Sequence, residues 1–185
     1  MLKKRCDMRD LSQYDGLRPL IQTGDLVEWC GNGIIPAIIR RVTGAGVSHS
    51  SLVVRLPYGD QTRRYVIEAV RTGVEFRLLS HCLQKYDGTA IWYGLKHEHE
   101  CKREGIAAWA FDALGRDTKY DFGGVIGQLW KRAALEAGKL YCSELIDAAY
   151  IAADIIEPDP DGARRPGDFV KLGIFDCQAH LLGCQ

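Results

Sequence analysis

Short apolar runs separated by turn residues dominate the first half of the chain. Five runs rich in β-branched and aromatic residues are predicted strands, and they span residues 24–29, 48–56, 64–70, 74–79 and 89–95. The second and third runs enclose Pro57-Tyr58-Gly59-Asp60, which is strong turn chemistry, so together they form a predicted hairpin. This pattern predicts an antiparallel sheet in the first half of the chain.

Apolar residues at helical spacing mark an early helix and then most of the second half. Predicted helices span residues 34–42, 100–114, 125–137 and 142–156. The first of them has an apolar stripe and is expected to pack on the sheet; the stripe consists of Ile34, Ile35, Ile38 and Ile39. Three segments lack such periodicity and are predicted as an irregular arm (1–20), an extended segment (165–170) and a tail (176–185).

The order of these elements, with strands before helices, predicts an α+β fold in which a mainly antiparallel sheet packs against helices. A length of 185 residues, 46% of them hydrophobic, fits a single domain over residues 1–185. The 24 basic and 24 acidic residues cancel, so nucleic acid is not an expected partner. No apolar run reaches about eighteen residues, so stable membrane insertion is not expected either.

The seven cysteines are an odd number scattered along the chain, which favours a reducing compartment. The N-terminal residues begin with positive charge, but further charges interrupt them before an apolar core of signal-peptide length appears. The expected location is therefore the cytoplasm, unless another system delivers the protein elsewhere. The sequence contains no signal for an oligomeric state.

Cys142 stands at the start of the last predicted helix, in Tyr141-Cys142-Ser143-Glu144. Unpaired backbone N–H groups and the helix dipole favour a thiolate at such a position. A cysteine taken alone is most often a small buried hydrophobe, so this residue needs partners before it indicates catalysis.

His49 and Glu68 are the candidate partners, one on each strand of the predicted hairpin. If the hairpin loop consists of residues 57–60, His49 lies directly opposite Glu68 and their Cβ atoms are about 4.5–5.5 Å apart. A longer loop would make the contact diagonal. Thiol, imidazole and carboxylate are the components of an activated cysteine nucleophile, and we predict that these three residues form it.

A competing cluster, His97-Glu98-His99-Glu100-Cys101, contains metal-ligating residue types. It lacks a second ligand pair at zinc-finger spacing and is charged throughout, so a solvated helix start is the favoured interpretation. Neither a metal nor an organic cofactor is predicted.

The chain resembles the circularly permuted branch of the NlpC-type papain-like superfamily, the YiiX-like proteins, in which histidine comes first and cysteine last. The resemblance runs from about residue 24 to about residue 175. It rests on Gly24-Asp25-Leu26-Val27, Ser48-His49-Ser50-Ser51-Leu52-Val53-Val54, Val66-Ile67-Glu68-Ala69 and Tyr141-Cys142-Ser143-Glu144-Leu145-Ile146, supported by Tyr120-Asp121-Phe122-Gly123-Gly124 and Pro166-Gly167-Asp168-Phe169.

This resemblance implies a small papain-like fold, a sheet or partial barrel against helices, with Cys142 facing His49 and Glu68. It implies a thiol hydrolase that acts on amide or ester bonds through a thioester, on small peptides or amidated lipids. It also implies that Tyr120 lines the site, a role for which Tyr141 competes. The alternatives are a lipid acyltransferase or thioesterase on the same fold, and a non-catalytic binding or metal-binding module.

Overall fold

The computed structural model describes residues 10–70, 73–115 and 141–183, apart from the side chains of Val42 and Tyr141. Its strands form one antiparallel sheet in the order β4-β3-β2-β1-β5-β6. The strands are β1 (Leu26–Gly31), β2 (His49–Tyr58), β3 (Gln61–Val70), β4 (Gly73–Leu78), β5 (Gly88–Leu95) and β6 (Phe175–Leu182). All five predicted strands are present, with ends displaced by up to three residues.

Helices flank this sheet and make the fold a mixed α and antiparallel β structure, which confirms the predicted class. They are α1 (Ser12–Leu17), α2 (Ile34–Thr43), α3 (Leu79–Lys85), α4 (Arg103–Gly115) and α5 (Tyr141–Ala152), with short 3₁₀ helices at His97–Lys102 and Phe169–Lys171. The predicted helix at 125–137 lies outside the described residues. In this described part of the chain, no helix is both long enough and apolar enough to cross a bilayer.

Apolar residues are buried on both faces of the sheet, because strand side chains alternate between the faces. One face packs against α4 and α5, and its fully buried members include Leu26, Leu52, Ile67, Ile106, Ile146 and Tyr150. The other face packs against α1 and α3, and its members include Tyr14, Val27, Val53, Val66, Leu79 and Leu83. A polar side chain that points from a covered stretch of the central strands is therefore buried and needs a partner.

The hairpin between β2 and β3 has a tighter turn than the sequence predicts. Tyr58 pairs with Gln61, which leaves only Gly59 and Asp60 in the turn, and Gly59 adopts a left-handed φ of 60°. Two-residue turns of this kind match the twist of the flanking strands and favour glycine. The predicted loop of residues 57–60 is therefore wrong.

The tighter turn changes which residues face each other across the hairpin. Leu52 pairs with Ile67, so the same register continued by one residue brings Ser51 opposite Glu68. His49 is then a diagonal neighbour of Glu68 rather than its direct partner. A shift of two residues keeps every side chain on its face, so the imidazole and the carboxylate still share one side of the sheet.

The prediction of an irregular tail over residues 176–185 is wrong, because most of that segment forms strand β6. It pairs along β5 at the edge of the sheet, and only its last two residues, Leu181 and Leu182, are buried. An edge strand of this kind shows no apolar alternation over most of its length, which is why the sequence pattern misses it. Two other expectations were also wrong: α1 lies within the predicted arm, and residues 165–170 are turns entering a 3₁₀ helix rather than an extended segment.

Helix α2 does not bury its apolar stripe against the sheet. The exposed fractions of Ile34, Ile35 and Ile38 are 81%, 72% and 48%. The helix meets β1 through its first turn, where the ring of Pro36 lies so close to Gly31 that a Cβ atom there would come within 2.8 Å of it. The prediction that this helix packs its stripe on the sheet is wrong for these three isoleucines.

Candidate active site

His49 and Glu68 are in direct contact on the face of the sheet that carries α3. His49 is the first residue of β2, and its ring Nε2 is hydrogen-bonded to Oε2 of Glu68, near the C-terminal end of β3. The His49 side chain is 26% exposed and the Glu68 side chain 2%. A nearly fully buried carboxylate thus holds one edge of a ring that is itself only partly exposed.

Cys142 meets the same imidazole from the other layer of the fold. It is the second residue of α5, which packs on β2 and β3, and its side chain lies close enough to His49 to influence the pKa of the ring. Because Glu68 occupies Nε2, the nitrogen left for the sulfur is Nδ1. The three residues singled out in the sequence are therefore adjacent in space, in the order cysteine, histidine, glutamate.

The Glu68 carboxylate is held at both of its oxygens. Besides His49, Oε2 accepts a hydrogen bond from Ser51 Oγ at 2.9 Å, while Oε1 accepts two from Arg77, one from Nε at 2.8 Å and one from Nη2. Burial alone would raise the pKa of Glu68, but the hydrogen bonds and charges of His49 and Arg77 outweigh it and lower the pKa to about 2. Glu68 is therefore an anion at any pH near neutrality.

The charge state of His49 follows from its two acidic neighbours. Burial disfavours the imidazolium, yet negative charge on Cys142, together with the hydrogen bond and charge of Glu68, raises the pKa of His49 well above 6.5. The surroundings of this ring therefore favour the imidazolium form of His49.

Arg77 and Ser51 are the site residues that sequence reasoning missed. Arg77 belongs to β4 and pairs across the ladder with Val66, so it lies diagonally from Glu68, while Glu75 lies directly opposite Glu68. Alternation places residues 75 and 77 on one face of a strand, and that pattern was the available signal. It could not be used without the register of β4 against β3.

A second buried carboxylate, Glu28, lies near His49. It is 1% exposed, and it accepts hydrogen bonds from Ser50 Oγ at 2.7 Å and from the backbone N–H of Gly167 at 3.1 Å. Burial raises the pKa of Glu28 to about 7, against the opposing effect of these two hydrogen bonds. Glu28 thereby ties the turn before the second 3₁₀ helix to the two central strands.

A cavity of about 480 Å³ opens beside the histidine and glutamate. Its walls come from β1, β2, β3, β4 and α3, and Cys142 is not among them. The lining residues are Trp29, His49, Glu68, Val70, Arg77, His81, Cys82, Lys85 and Tyr86. The cavity thus lies on the side of the imidazole that faces Glu68.

The remaining sequence candidates fall elsewhere. Tyr120 lies outside the described residues, and of Tyr141 only the backbone is described, as the first residue of α5. His97 and Cys101 are exposed on the first 3₁₀ helix, and His99 Nε2 lies 3.5 Å from Glu98 Oε1 without a hydrogen-bonding partner. Within residues 10–70, 73–115 and 141–183, no group of three or more His, Cys, Asp or Glu side chains is arranged to hold a metal ion.

An antiparallel sheet with a helix-borne cysteine beside a strand-borne histidine and glutamate defines a papain-like architecture in permuted order. Residues 21–161 match the family model described as permuted papain-like amidase enzyme, YaeF/YiiX, C92 family, and the chain belongs to this family. The matched range contains Cys142, His49 and Glu68. The resemblance to YiiX-like proteins and the papain-like fold are confirmed.

The fold of this chain is similar to that of a known structure. The metalloprotein YiiX of Escherichia coli O157:H7 is 21% identical, with a TM-score of 0.50, and the match covers 71% of this chain. The matched region spans 66% of that protein, slightly less than two thirds of its length. No curated protein matches this chain.

Proposed function

We propose that this protein is a cysteine hydrolase that cleaves amide bonds through a thioester acyl-enzyme, with Cys142 as nucleophile. The single observation that supports this most strongly is the His49 ring, which has the Cys142 sulfur on one side and the Glu68 carboxylate on the other. The family to which the chain belongs, one of papain-like amidases, supports the same chemistry.

The reaction begins with the thiolate of Cys142 attacking the carbonyl carbon of the scissile amide. His49 then donates its Nδ1 proton to the leaving nitrogen, the C–N bond breaks and a thioester remains on the sulfur. A water molecule next attacks the thioester carbon and transfers a proton to the imidazole. Release of the acid restores the thiolate and the imidazolium, so that protons and charges balance over the cycle.

Helix α5 supplies a donor for the oxyanion that forms during both steps. Cys142 lies in its first turn, where backbone N–H groups have no acceptor within the helix. We assign the Cys142 N–H to the oxyanion hole, and the loss of one such donor typically costs about 10²–10³ in rate.

Glu68, Arg77 and Ser51 act through the histidine. Glu68 holds the imidazole with Nδ1 towards the sulfur, and the hydrogen bonds from Arg77 and Ser51 fix the carboxylate in turn. These three are positioning residues, because none of them reacts with the substrate. Among substrates we favour small peptides and amidated lipids, since the cavity of about 480 Å³ accepts a side chain or a small headgroup rather than a folded protein.

The test is a screen of peptide, lipid-amide and ester libraries against the wild type and Cys142→Ala. Cys101→Ala is the matched control, because Cys101 is exposed on the first 3₁₀ helix, within the cluster weighed as a metal site. We expect hydrolysis of at least one amide class by the wild type and Cys101→Ala, and none by Cys142→Ala. Hydrolysis that survives in Cys142→Ala but disappears in Cys101→Ala would contradict the proposal.

A further inference from the structure

Helix α2 turns its apolar side chains away from the rest of the described structure. Ile34 and Ile35 are the most exposed large apolar side chains in residues 10–70, 73–115 and 141–183, and Ile38, one turn further on, is half-exposed. The three side chains form one ridge along the helix, which we call the isoleucine ridge. Adjacent exposed apolar side chains of this kind mark a contact surface, whereas isolated ones need no explanation.

The isoleucine ridge points outward because the opposite side of the helix is attached to β1. The ring of Pro36 lies against Gly31, and Nη1 of Arg40 donates a hydrogen bond of 2.6 Å to the carbonyl oxygen of Gly31. Residues 36 and 40 are four apart and so share one face of the helix, while residues 34, 38 and 41 share the opposite face. The anchoring of α2 to the sheet therefore holds the isoleucine ridge in the solvent.

Positive charge borders the isoleucine ridge at the C-terminal end of α2. Arg41 is exposed and continues the face of the ridge into the last turn of the helix. Arg165 is exposed on a neighbouring turn, which packs against the chain just after α2, since a Cβ on Gly167 would lie 3.1 Å from the side chain of Ala45. The surface around the ridge thus combines apolar side chains with cations.

The carboxylates in this region do not cancel that charge. Asp168 is paired with Lys171 at 2.8 Å and also lies in the field of Arg165, so its turn carries more positive than negative charge. Asp87 lies at the other end of the helix, where it accepts a hydrogen bond of 3.0 Å from Asn32. The C-terminal end of the isoleucine ridge is therefore complementary to an anionic surface.

We propose that the isoleucine ridge and Arg41 dock on the surface of a bilayer that contains anionic lipids. The isoleucines enter the boundary between headgroups and acyl chains, and Arg41 and Arg165 meet the lipid phosphates, which is how amphipathic surface helices bind membranes. A protein partner fits less well, because three isoleucines supply well under the roughly 800 Å² per partner of a standard protein interface. The contact is peripheral, since α2 has only ten residues.

The position of α2 in the chain gives this docking a consequence for catalysis. Only residues 44–48 separate the helix from His49, so the end of α2 lies within about 20 Å of the His49 backbone. A protein held at a bilayer through α2 therefore has its candidate active site near the lipid headgroups. Of the two substrate classes favoured above, amidated lipids are the one that such a surface presents, and this step alone rests on the proposed function.

The test is sedimentation with vesicles, one set made of phosphatidylcholine and the other of equal parts of phosphatidylcholine and phosphatidylglycerol. We expect the wild type to bind the anionic vesicles about tenfold more tightly than the neutral ones, and high salt to remove most of this difference. Ile34→Ser combined with Ile35→Ser should weaken binding to the anionic vesicles about 10²-fold, since each isoleucine contributes about a factor of ten. Arg41→Gln should weaken the same binding about fivefold.

Leu20→Ser is the matched control. Leu20 is 60% exposed but lies towards the hairpin end of β2, because Pro19 accepts a hydrogen bond from Arg64, which pairs with Arg55 of that strand. The Leu20→Ser variant should bind both kinds of vesicle as the wild type does.

Binding that is unchanged by the two isoleucine substitutions, or that is absent from both kinds of vesicle, would overturn the proposal. A double variant that unfolds at a much lower urea concentration would also overturn it, because the isoleucine ridge would then be covered by the chain itself. A dimer that the same substitutions dissociate, without vesicle binding, would identify a second copy as the partner instead. Vesicle binding needs no turnover and can be measured on Cys142→Ala, so failure of the hydrolase proposal is recognised separately, by amide turnover that persists in that variant.

Discussion

Replacement of Arg77 by methionine tests whether the carboxylate behind the catalytic histidine is held from both sides. The substitution keeps much of the aliphatic volume and removes two hydrogen bonds to Glu68 Oε1, a carboxylate that is only 2% exposed. His49 and Ser51 remain as partners of Oε2. We expect the variant to fold with Glu68 less firmly held.

The magnitude follows from the pKa of Glu68, which falls from 4.5 to about 2 in the folded protein. At about 1.4 kcal/mol per pH unit, the difference corresponds to about 3 kcal/mol, shared between His49 and Arg77 with His49 the larger contributor. Arg77 is 49% exposed, so water replaces part of what is lost. Removal of the Arg77 guanidinium should therefore lower the free energy of unfolding by about 1 kcal/mol. This is well below the roughly 3–5 kcal/mol lost when a fully buried ion pair is broken.

The sign of the pH dependence is fixed by the direction of the pKa change. A carboxylate whose folded pKa lies below its unfolded value stabilises the fold above pH 4.5, and this stabilisation is lost as the pH falls through about 2. The effect of Arg77→Met must accordingly be fully present at pH 7.

The assay is a double-mutant cycle by urea unfolding at pH 7, with Arg77→Met, Glu68→Gln and the double variant. Arg77→Met should cost about 1 kcal/mol in the wild-type background and much less when Glu68 is already Gln, and Arg77→Lys should recover part of the loss. A coupling energy below about 0.3 kcal/mol would refute the reasoning, because the two side chains would then contribute independently.

Three further predictions test other parts of the account. The pKa of Glu28 is raised from 4.5 to about 7, so its contribution to stability is present below pH 4.5 and is lost as the pH rises through 7. The free energy of unfolding of the wild type should therefore fall by up to about 3 kcal/mol between pH 5 and pH 8, and Glu28→Gln should not show this fall. The same pH slope in urea unfolding of both proteins would contradict this. Gly88→Ala should destabilise the protein by at least about 2 kcal/mol in the same assay, because a Cβ at φ 149° would lie 2.1 Å from the carbonyl oxygen of Cys30. A Gly88→Ala variant as stable as the wild type would refute the close approach of the two strands. Ile34→Ser and Ile35→Ser should each change the free energy of unfolding by less than about 0.5 kcal/mol, since both side chains are exposed, and losses above about 2 kcal/mol would show that the stripe is buried after all.

The sequence predicted the strands well where apolar residues continue or alternate, because both faces of the sheet are buried and its central strands must be apolar. It failed at β6, whose exposed edge residues carry no such pattern, and at α2, whose apolar stripe is real but does not face the sheet. Periodicity establishes that a helix has an apolar face and does not establish what covers it.

The sequence singled out His49, Glu68 and Cys142, which lie together in the structure, but it did not predict the register that brings His49 to Glu68. His49 and Glu68 do meet, although direct opposition was expected only for a loop of residues 57–60, and the actual turn is Gly59-Asp60. The contact survived because an even shift of register keeps both side chains on one face. Arg77 was missed because its approach depends on the pairing of β4 with β3, which no local pattern specifies.

The central claim, that His49 activates Cys142, is tested most directly by iodoacetamide labelling at pH 6 with peptide mass spectrometry. Cys142 is only 6% exposed, whereas Cys101 and Cys177 are exposed, so accessibility alone would make Cys142 the slowest of the three. We predict the reverse, with Cys142 labelled fastest in the wild type and about 10²-fold more slowly in His49→Asn. Labelling of Cys142 that is slower than that of Cys101 and unaffected by His49→Asn would contradict the account.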